Sequence, residues 1–538
     1  MEYLNMMLSW LSWETIATII LLYLSSLSFY RLFLHPLARF PGPKLAAITR
    51  WFEGYYDVVR DGQYTFQIAK LHQKYGPIVR ISPHELHISD AAFYNTLYCQ
   101  DGRWDRYAWA WDAWGAEGPT IHTVHHEQHR ARRQPLATFF SRAKVLNRQE
   151  MIRKHVEKFC HHLSQIAVLG KTVNLGAAIS ALARDVAFDY ILAKSYNSLD
   201  SEDFDVAVLH SAQGAGPLWR LTKHTGYVFH ILNSLPIDWA MKLSDDNMKT
   251  FFTHMKAAMK DTKDLIASVS SLTLDNKAQR TIVHEILDSK LPSRDKSFQR
   301  VFEEVTSVSG AGFETTGSAL RLICFHVFSN TEVLRRLRTE LKAAEAENSD
   351  VMVLKVLEKL PYLTSTIMEG LRLSPGVATR MARIAPDRDL FYKEYKIPAG
   401  TPVGMTTILM HTDEELYPDP MSFNPERWMG HRGMKIEEKA YAPFSRGTRM
   451  CIGMHLAWAE MYFVIAALVQ HFDFHFLAAK AEDFECMSDQ FVIGTKGKGL
   501  LEARVEYLGM SLGGSKSWST PSRPNRRTPT PRLGVGAG

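Results

Sequence analysis

The densest chemistry in this chain lies in one string near its C-terminal end: Phe444-Ser445-Arg446-Gly447-Thr448-Arg449-Met450-Cys451-Ile452-Gly453. One cysteine sits in a loop bracketed by two glycines, directly ahead of an apolar run, Met454 to Phe472. In that run Leu456, Ala457, Phe463, Val464, Ala467 and Leu468 recur at near-helical spacing. Cys451 is therefore expected at a helix N-terminus, where the partial positive charge favours a thiolate over a thiol. Gly447 permits a turn with positive φ, and Gly453 leaves room for a flat ligand against the backbone. Arg449 can offer a fork of donors to an anionic ligand edge. A thiolate on a tight loop, open on one face, is what axial ligation of a haem iron requires. The competing reading is a buried free cysteine without chemistry.

A second constellation, Ala311-Gly312-Phe313-Glu314-Thr315-Thr316, falls inside a predicted long helix, Phe298 to Phe328. Glycine in a helix interior costs about 1 kcal/mol relative to alanine. A helix locally opened beside a small ligand would explain it, and so would ordinary close packing. Glu314 and Thr315 supply an acid and a hydroxyl, the parts of a proton relay. Glu369 and Arg372 lie three apart on one helix face, which allows a salt bridge, although Glu150/Arg153 and Glu332/Arg335 share that spacing. His122, His125, His126 and His129 contain two i,i+4 pairs, a spacing that can chelate zinc. They do not form His-Glu-x-x-His. Gly310, Gly312 and Gly317 are no dinucleotide fingerprint, because position 315 is not glycine and no strand leads in.

The cysteine string resembles the ligand loop of the cytochrome P-450 family, Phe-x-x-Gly-x-Arg-x-Cys-x-Gly, at every specified position. Residues 311–315 resemble the family's Ala/Gly-Gly-x-Asp/Glu-Thr motif and residues 369–372 its Glu-x-x-Arg helix. Phe423-Asn424-Pro425-Glu426-Arg427-Trp428 is similar to its Pro-Glu-Arg loop, and the order along the chain agrees. The resemblance covers about Leu34 to Leu508. It implies a mainly α fold with small β-sheets and an N-terminal transmembrane helix. It implies haem (heme b) with Cys451 as iron ligand between Phe444 and Gly453, and oxygen activation at Gly312, Glu314 and Thr315. Glu369, Arg372 and Arg427 would form a buried charge triad with a structural role. The haem propionates would meet Arg449, Arg383, and His129 with Arg133, the last two standing at Trp-x-x-x-Arg positions with histidine in place of tryptophan. The stretch holding Trp104, Trp109, Trp111 and Trp114 would roof the substrate pocket. Strings such as Phe40-Pro41-Gly42-Pro43-Lys44-Leu45-Ala46 and Ile397-Pro398-Ala399-Gly400-Thr401-Pro402 look like those of filamentous-fungal members. Many of those oxidise terpenoid, polyketide or alkaloid intermediates with O2 and electrons from an NADPH-cytochrome reductase. Two rivals are isomerisation or dehydration on the same fold without external oxygen, and a non-catalytic haem binder.

The scaffold for these residues is globular in composition, with 46% hydrophobic and 22% charged residues in 538. Cys99, Cys160, Cys324, Cys451 and Cys486 are odd in number and scattered, which argues against a disulfide framework and for a reducing compartment. Five positive charges of the net +6 belong to an acid-free tail after Met510, so the remainder is near neutral and gives no case for a nucleic-acid partner. Thr15 to Leu34 is apolar enough and long enough to span a bilayer. Trp10, Trp13 and Tyr30 could stand at its interfaces, and Arg31, Arg39, Lys44 and Arg50 follow on its C-terminal side. The positive-inside rule then puts the N-terminus in the lumen and the body in the cytosol, on the endoplasmic reticulum for a family member. A retained anchor is expected over a cleaved signal, because the preceding segment has no basic residue and Ser26-Leu27-Ser28 is a poor cleavage site. The expected organisation is a lumenal segment 1–14, an anchor 15–34, a proline-rich connector 35–50, a catalytic domain 51–510 and a disordered basic tail 511–538. Strands are expected at Ile78–Ile81, Glu85–Ile88 and Lys393–Ile397, a helix at Leu363–Leu373, and loop from Pro418 to Trp428.

Overall fold

One helix, Phe298–Ser329, forms the axis of the molecule. In this computed structural model, which describes residues 13–243, 246–270, 280–430 and 441–509, it runs unbroken for 32 residues. The basic tail 511–538 and nearly all of the lumenal segment 1–14 lie outside the described residues. The helix starts where the Ser297 side chain accepts a hydrogen bond from the Arg300 N–H, satisfying one of the unpaired donors of the first turn. Val301, Val305, Leu320, Ile323, Cys324 and Val327 bury it on several sides, as a helix apolar beyond a single stripe must be.

Its main partner is Leu175–Leu192, buried almost throughout and rich in alanine. A Cβ placed on Gly312 would lie 3.3 Å from the Ala187 Cβ, so glycine lets the two helices approach closely. Of the two readings of Gly312, an opened helix or close packing, the packing one matches the contact with Ala187. The backbone stays α-helical, and inter-helix packing offsets the glycine's cost. The cysteine helix, Met454–His471, packs against the axis and against Gln149–Leu169, and its chain turns into a strand at Phe472. Pro361–Leu373 starts two residues before its expected bound because Pro361 occupies the first turn, where a missing N–H costs nothing.

A five-stranded sheet runs in the order Ile78–Ser82, Glu85–Ile88, Val403–Gly404, Arg383–Ile384, Asp105–Arg106. Its second and third strands pair in parallel and its other neighbours antiparallel. Thr172–Asn174, Glu502–Tyr507 and Phe472–Phe476 make a second sheet, and two hairpins, Leu390–Ile397 and Cys486–Thr495, complete the β structure. Lys393 belongs to the turn of the first hairpin, with φ 50°, so that strand begins at Tyr395. At the N-terminus, Trp13–Phe29 is α-helical and Tyr30–Leu34 adds a π-helical turn. No residue of this 22-residue apolar stretch is buried.

Candidate active site

The cysteine loop is held by backbone geometry. Gly447 has φ 75°, and a Cβ there would come within 2.5 Å of the Cys99 carbonyl oxygen, so only glycine fits under the Tyr98–Cys99 turn. The Cys451 N–H closes the loop on the Phe444 carbonyl at 2.9 Å. Cys451 is enclosed by the fold yet keeps an accessible face, and a Cβ on Gly453 would meet nothing within 4 Å, so the residue lines an open recess. Burial pushes the thiol pKa up; the N–H groups of Gly453 and Met454 and the Arg133 charge pull it down but do not prevail. The helix N-terminus and Arg133 act in the direction of the expected thiolate, and desolvation acts against it. Coordination to a metal cation, which deprotonates a thiol outright, supplies what the helix lacks.

Four arginines gather on one side of this loop. Arg106 and Arg383 are cross-strand partners in the five-stranded sheet, like charges placed directly opposite at a cost in stability. Arg449 donates to the carbonyls of Thr123, Val124 (2.8 Å) and Trp104 (3.3 Å). Arg106 lies 3.5 Å from the centre of the Trp111 ring, and Arg383 donates to the Met381 carbonyl at 3.0 Å. Burial first, and the other arginines next, hold Arg449 down to about 9 and Arg106 well below its ordinary value. The same two causes keep the buried His129 imidazole neutral. Asp105 is the one carboxylate that relieves Arg449. Arg106 Nε, Arg383 Nη2 and Arg449 Nε are buried with no hydrogen-bond partner. Arg133 is close enough to Cys451 for each to perturb the other. An accessible sulfur beside uncompensated cations fits a group that carries a metal at its centre and carboxylates at its edge. No sequence motif marks Arg106; only strand pairing brings it to Arg383.

The remaining expected residues divide. Glu314 Oε1 accepts from Arg321 Nη2 at 2.8 Å, and Arg321 in turn reaches Ser180; Glu314 Oε2 is buried and unpaired. The Thr315 hydroxyl donates to the Ala311 carbonyl at 2.8 Å, and its Cβ lies beside Gly376. The two neighbours therefore face different surroundings. Glu369 and Arg372 are fully buried; Glu369 accepts from Arg372 (2.8 Å), Arg427 (3.1 Å) and Trp428 (3.0 Å), and Arg372 donates onward to the carbonyls of His411, Pro420 and Ser422. Among the described residues His122, His125, His126 and His129 do not converge as metal ligands: His122 bonds the Ala116 carbonyl and His126 the Trp104 N–H. Glu53, Asp57 and His224 do converge, but Lys223 Nζ already lies 3.0 and 2.6 Å from the two carboxylates. Trp111 and Trp114 meet Trp219 and Phe491 in an aromatic cluster, whereas Trp104 packs under Arg388 and Trp109 under Arg50.

Helical architecture, open cysteine loop and anion-seeking arginines together are those of the haem-thiolate proteins. The cytochrome P450 family model matches residues 45–501, and the chain belongs to that family. It is 38% identical over 453 residues to the cytochrome P450 monooxygenase tpcC of Cochliobolus heterostrophus, covering 83% of this chain and 85% of that protein. It is 36% identical to the N-acetyltryptophan 6-hydroxylase ivoC of Emericella nidulans, covering 91% and 96%. The solved structure of retinoic-acid-bound cyanobacterial CYP120A1 shares the fold, with a TM-score of 0.66 at 20% identity over 87% of this chain and 99% of that one. The protein is an oxygen-incorporating oxidoreductase of the monooxygenase type with fungal secondary-metabolism homologues.

Proposed function

We propose that the protein inserts one atom of O2 into a hydrophobic small molecule, drawing electrons from NADPH through a reductase partner. A terpenoid, polyketide or alkaloid intermediate of fungal secondary metabolism is the substrate class. The carrying observation is the accessible Cys451 beside three buried arginines with unpaired donors, Arg106, Arg383 and Arg449, with half-buried Arg133 next to them. Haem bound there supplies the redox chemistry that cleaves O2, favoured by an electron-rich thiolate ligand. Cys451 would hold the metal, while Arg106, Arg133, Arg383 and Arg449, with neutral His129, would hold the anionic edge and be relieved of their mutual repulsion. Phe444 fixes the loop through its carbonyl, and Gly453 leaves the adjoining space clear.

Proton delivery is assigned to the axial helix. The Thr315 hydroxyl spends its proton on the Ala311 carbonyl and keeps its oxygen lone pairs available as acceptors. Glu314 Oε2 is an unused acceptor, and releasing Oε1 from Arg321 lets the carboxyl carry a proton inward. Gly312 serves the close contact of the axial helix with its alanine-rich partner, which fixes the position of both groups. Glu369, Arg372 and Arg427 tie helix to loop and touch no reactant. Trp111, Trp114, Trp219 and Phe491 give the substrate an apolar roof, in keeping with relatives named for hydroxylation of tryptophan and N-acetyltryptophan. Residues 15–34 anchor the protein in the endoplasmic reticulum membrane through the connector 35–50, with the catalytic domain 51–510 in the cytosol.

The test is turnover of the haem-loaded protein with a reductase and NADPH under isotopically heavy oxygen gas. Substrate-dependent NADPH consumption with heavy oxygen in the product supports the reading. Product formed without NADPH, as an isomer or dehydration product, contradicts it.

A further inference from the structure

A second group of cations stands without counter-ions, far from the cysteine in sequence, where the apolar N-terminal helix joins the body. Arg31 lies in the π-helical turn and donates to the Ile48 carbonyl. Arg80, 2% exposed, donates to the carbonyls of Arg31 and Pro83, each at 2.8 Å. Nε of both arginines is buried and unpaired. Arg50 reaches the Tyr107 hydroxyl and lies 4.4 Å from the centre of the Trp109 ring. His35 and His84 face each other with ring centroids 5.5 Å apart. His35 Nδ1 accepts from the Leu37 N–H at 3.0 Å, so the proton of the neutral ring is on Nε2, free to donate.

Among the described residues none of these five groups is ion-paired. Burial foremost, then the neighbouring arginines and His35, push His84 down to about 4; burial, then Arg31, holds Arg80 to about 10. Burial, then Arg80 and Arg31, lowers His35, and no carboxylate enters any of the three. Three guanidinium groups, the buried Arg80 beside Arg31 and Arg31 beside Arg50, with only carbonyls, aromatic rings and neutral imidazoles for company, are unfavourable unless an anion joins them.

The position says which anion. From Trp13 to Leu34 the helix rises about 33 Å at 1.5 Å per residue, against roughly 30 Å of bilayer hydrocarbon. On the membrane-anchored reading proposed above, on which this inference rests, Arg31, one turn from the helix end, stands at the level of lipid headgroups. Phe33, Leu34, Leu45 and Trp51 are each more than half exposed around the cluster, an apolar rim suited to acyl chains rather than to a free ion.

We infer that Arg31, His35, Arg50, Arg80 and His84 form a binding site for the phosphate of an anionic membrane phospholipid, which fastens the anchor helix to the catalytic body. Each exposed arginine near a membrane surface adds about 1 kcal/mol to attraction for anionic lipid, roughly fivefold in affinity. A zwitterionic lipid is weaker there because its own ammonium meets the same positive field.

The experiment uses the full haem-loaded chain in neutral detergent, with thermal midpoint read against added dioctanoyl phosphatidate, dioctanoyl phosphatidylcholine or inorganic phosphate. Phosphatidate should raise the midpoint saturably in the native chain and in Arg31→Lys. Arg31→Gln and, independently, Arg50→Gln should each need about fivefold more phosphatidate or worse. Phosphatidylcholine and inorganic phosphate at equal concentration should give little shift. The reduced, carbon-monoxide-treated spectrum, which does not depend on this site, reports that each variant is folded. Identical phosphatidate titrations in native chain and both folded glutamine variants would overturn the site. Equal stabilisation by inorganic phosphate would overturn the lipid as its ligand.

Discussion

Around Glu369 every buried charge meets its opposite, whereas around Arg449 guanidinium groups meet chiefly one another. The first cluster places a carboxylate between Arg372 and Arg427 and adds an indole N–H, so both Glu369 oxygens are satisfied by the protein itself. The second sets Arg106 opposite Arg383 across two strands, leaves three guanidinium nitrogens without partners, and keeps His129 neutral. Both are buried, so solvent explains neither. A closed cluster holds the fold whether or not a ligand is present; an open one is unfavourable until something anionic enters. The same contrast separates the Glu53–Lys223–Asp57 knot, closed from within, from Arg31–Arg80, which is open.

Mutations can break this comparison. The largest effect belongs to the closed cluster: Arg372→Ala strands Glu369 in the core and should lose about 3–5 kcal/mol of stability, with or without haem. Denaturant midpoints of the apo and haem-loaded forms, falling in parallel, are the check. In the open cluster the two forms should diverge. Arg449→Gln or Arg383→Gln should cost the apo form less than Arg372→Ala does, because lost bonds to carbonyls are offset by relieved repulsion, while weakening haem retention by about 1.5–3 kcal/mol, the worth of a charge-assisted hydrogen bond. Competition for haem by apomyoglobin measures that loss, and a parallel drop in apo stability would make these arginines structural instead.

Thr315→Ala removes one hydroxyl and its hydrogen bond to Ala311, worth about 1 kcal/mol, and keeps haem binding. Its expected signature is uncoupling, with NADPH consumed and peroxide released in place of product. A pH-dependent effect concerns Glu460, an acid with no ion-pair partner among the described residues. Burial holds its pKa well above the carboxylate range, and Oε2 is unpaired. The unfolded chain ionises this group above its ordinary pKa and the folded chain does not, so its contribution is intact in acid and is lost as pH rises. Glu460→Gln should therefore gain about 1–2 kcal/mol over the native chain at pH 8 relative to pH 5. A gain independent of pH would show that the carboxyl does ionise when folded.

Local strings make part of this legible in the sequence itself. The loop from Phe444 to Gly453 encodes its own turn, since Gly447 must have positive φ and Cys451 closes on Phe444 within the same segment. Periodicity shows the axial helix to within one residue of its end, and composition shows the apolar N-terminal span. Arg106 is invisible in this way, because its meaning arises only when Asp105–Arg106 pairs with Arg383–Ile384, nearly three hundred positions away. Arg80 is legible as a strand residue, but its contact with Arg31 depends on how the anchor turns back onto the body. Gly312 is ambiguous in sequence between an opened helix and close packing, and Ala187, on another helix, decides it. The Cys451 thiol meets the same limit: a helix N-terminus is visible in sequence, but the burial that outweighs it is a property of the whole fold.

The proposed function rests on Cys451, beside a cluster left open for an anionic metal-bearing ligand, serving as the thiolate ligand of haem. The most direct measurement is the absorption difference spectrum of the reduced, haem-supplied protein with and without carbon monoxide, native beside Cys451→Ala. The native protein should show the strongly red-shifted Soret band of thiolate ligation, and the variant should lack it. A native band typical of histidine ligation, or the same red-shifted band in the variant, would contradict the claim.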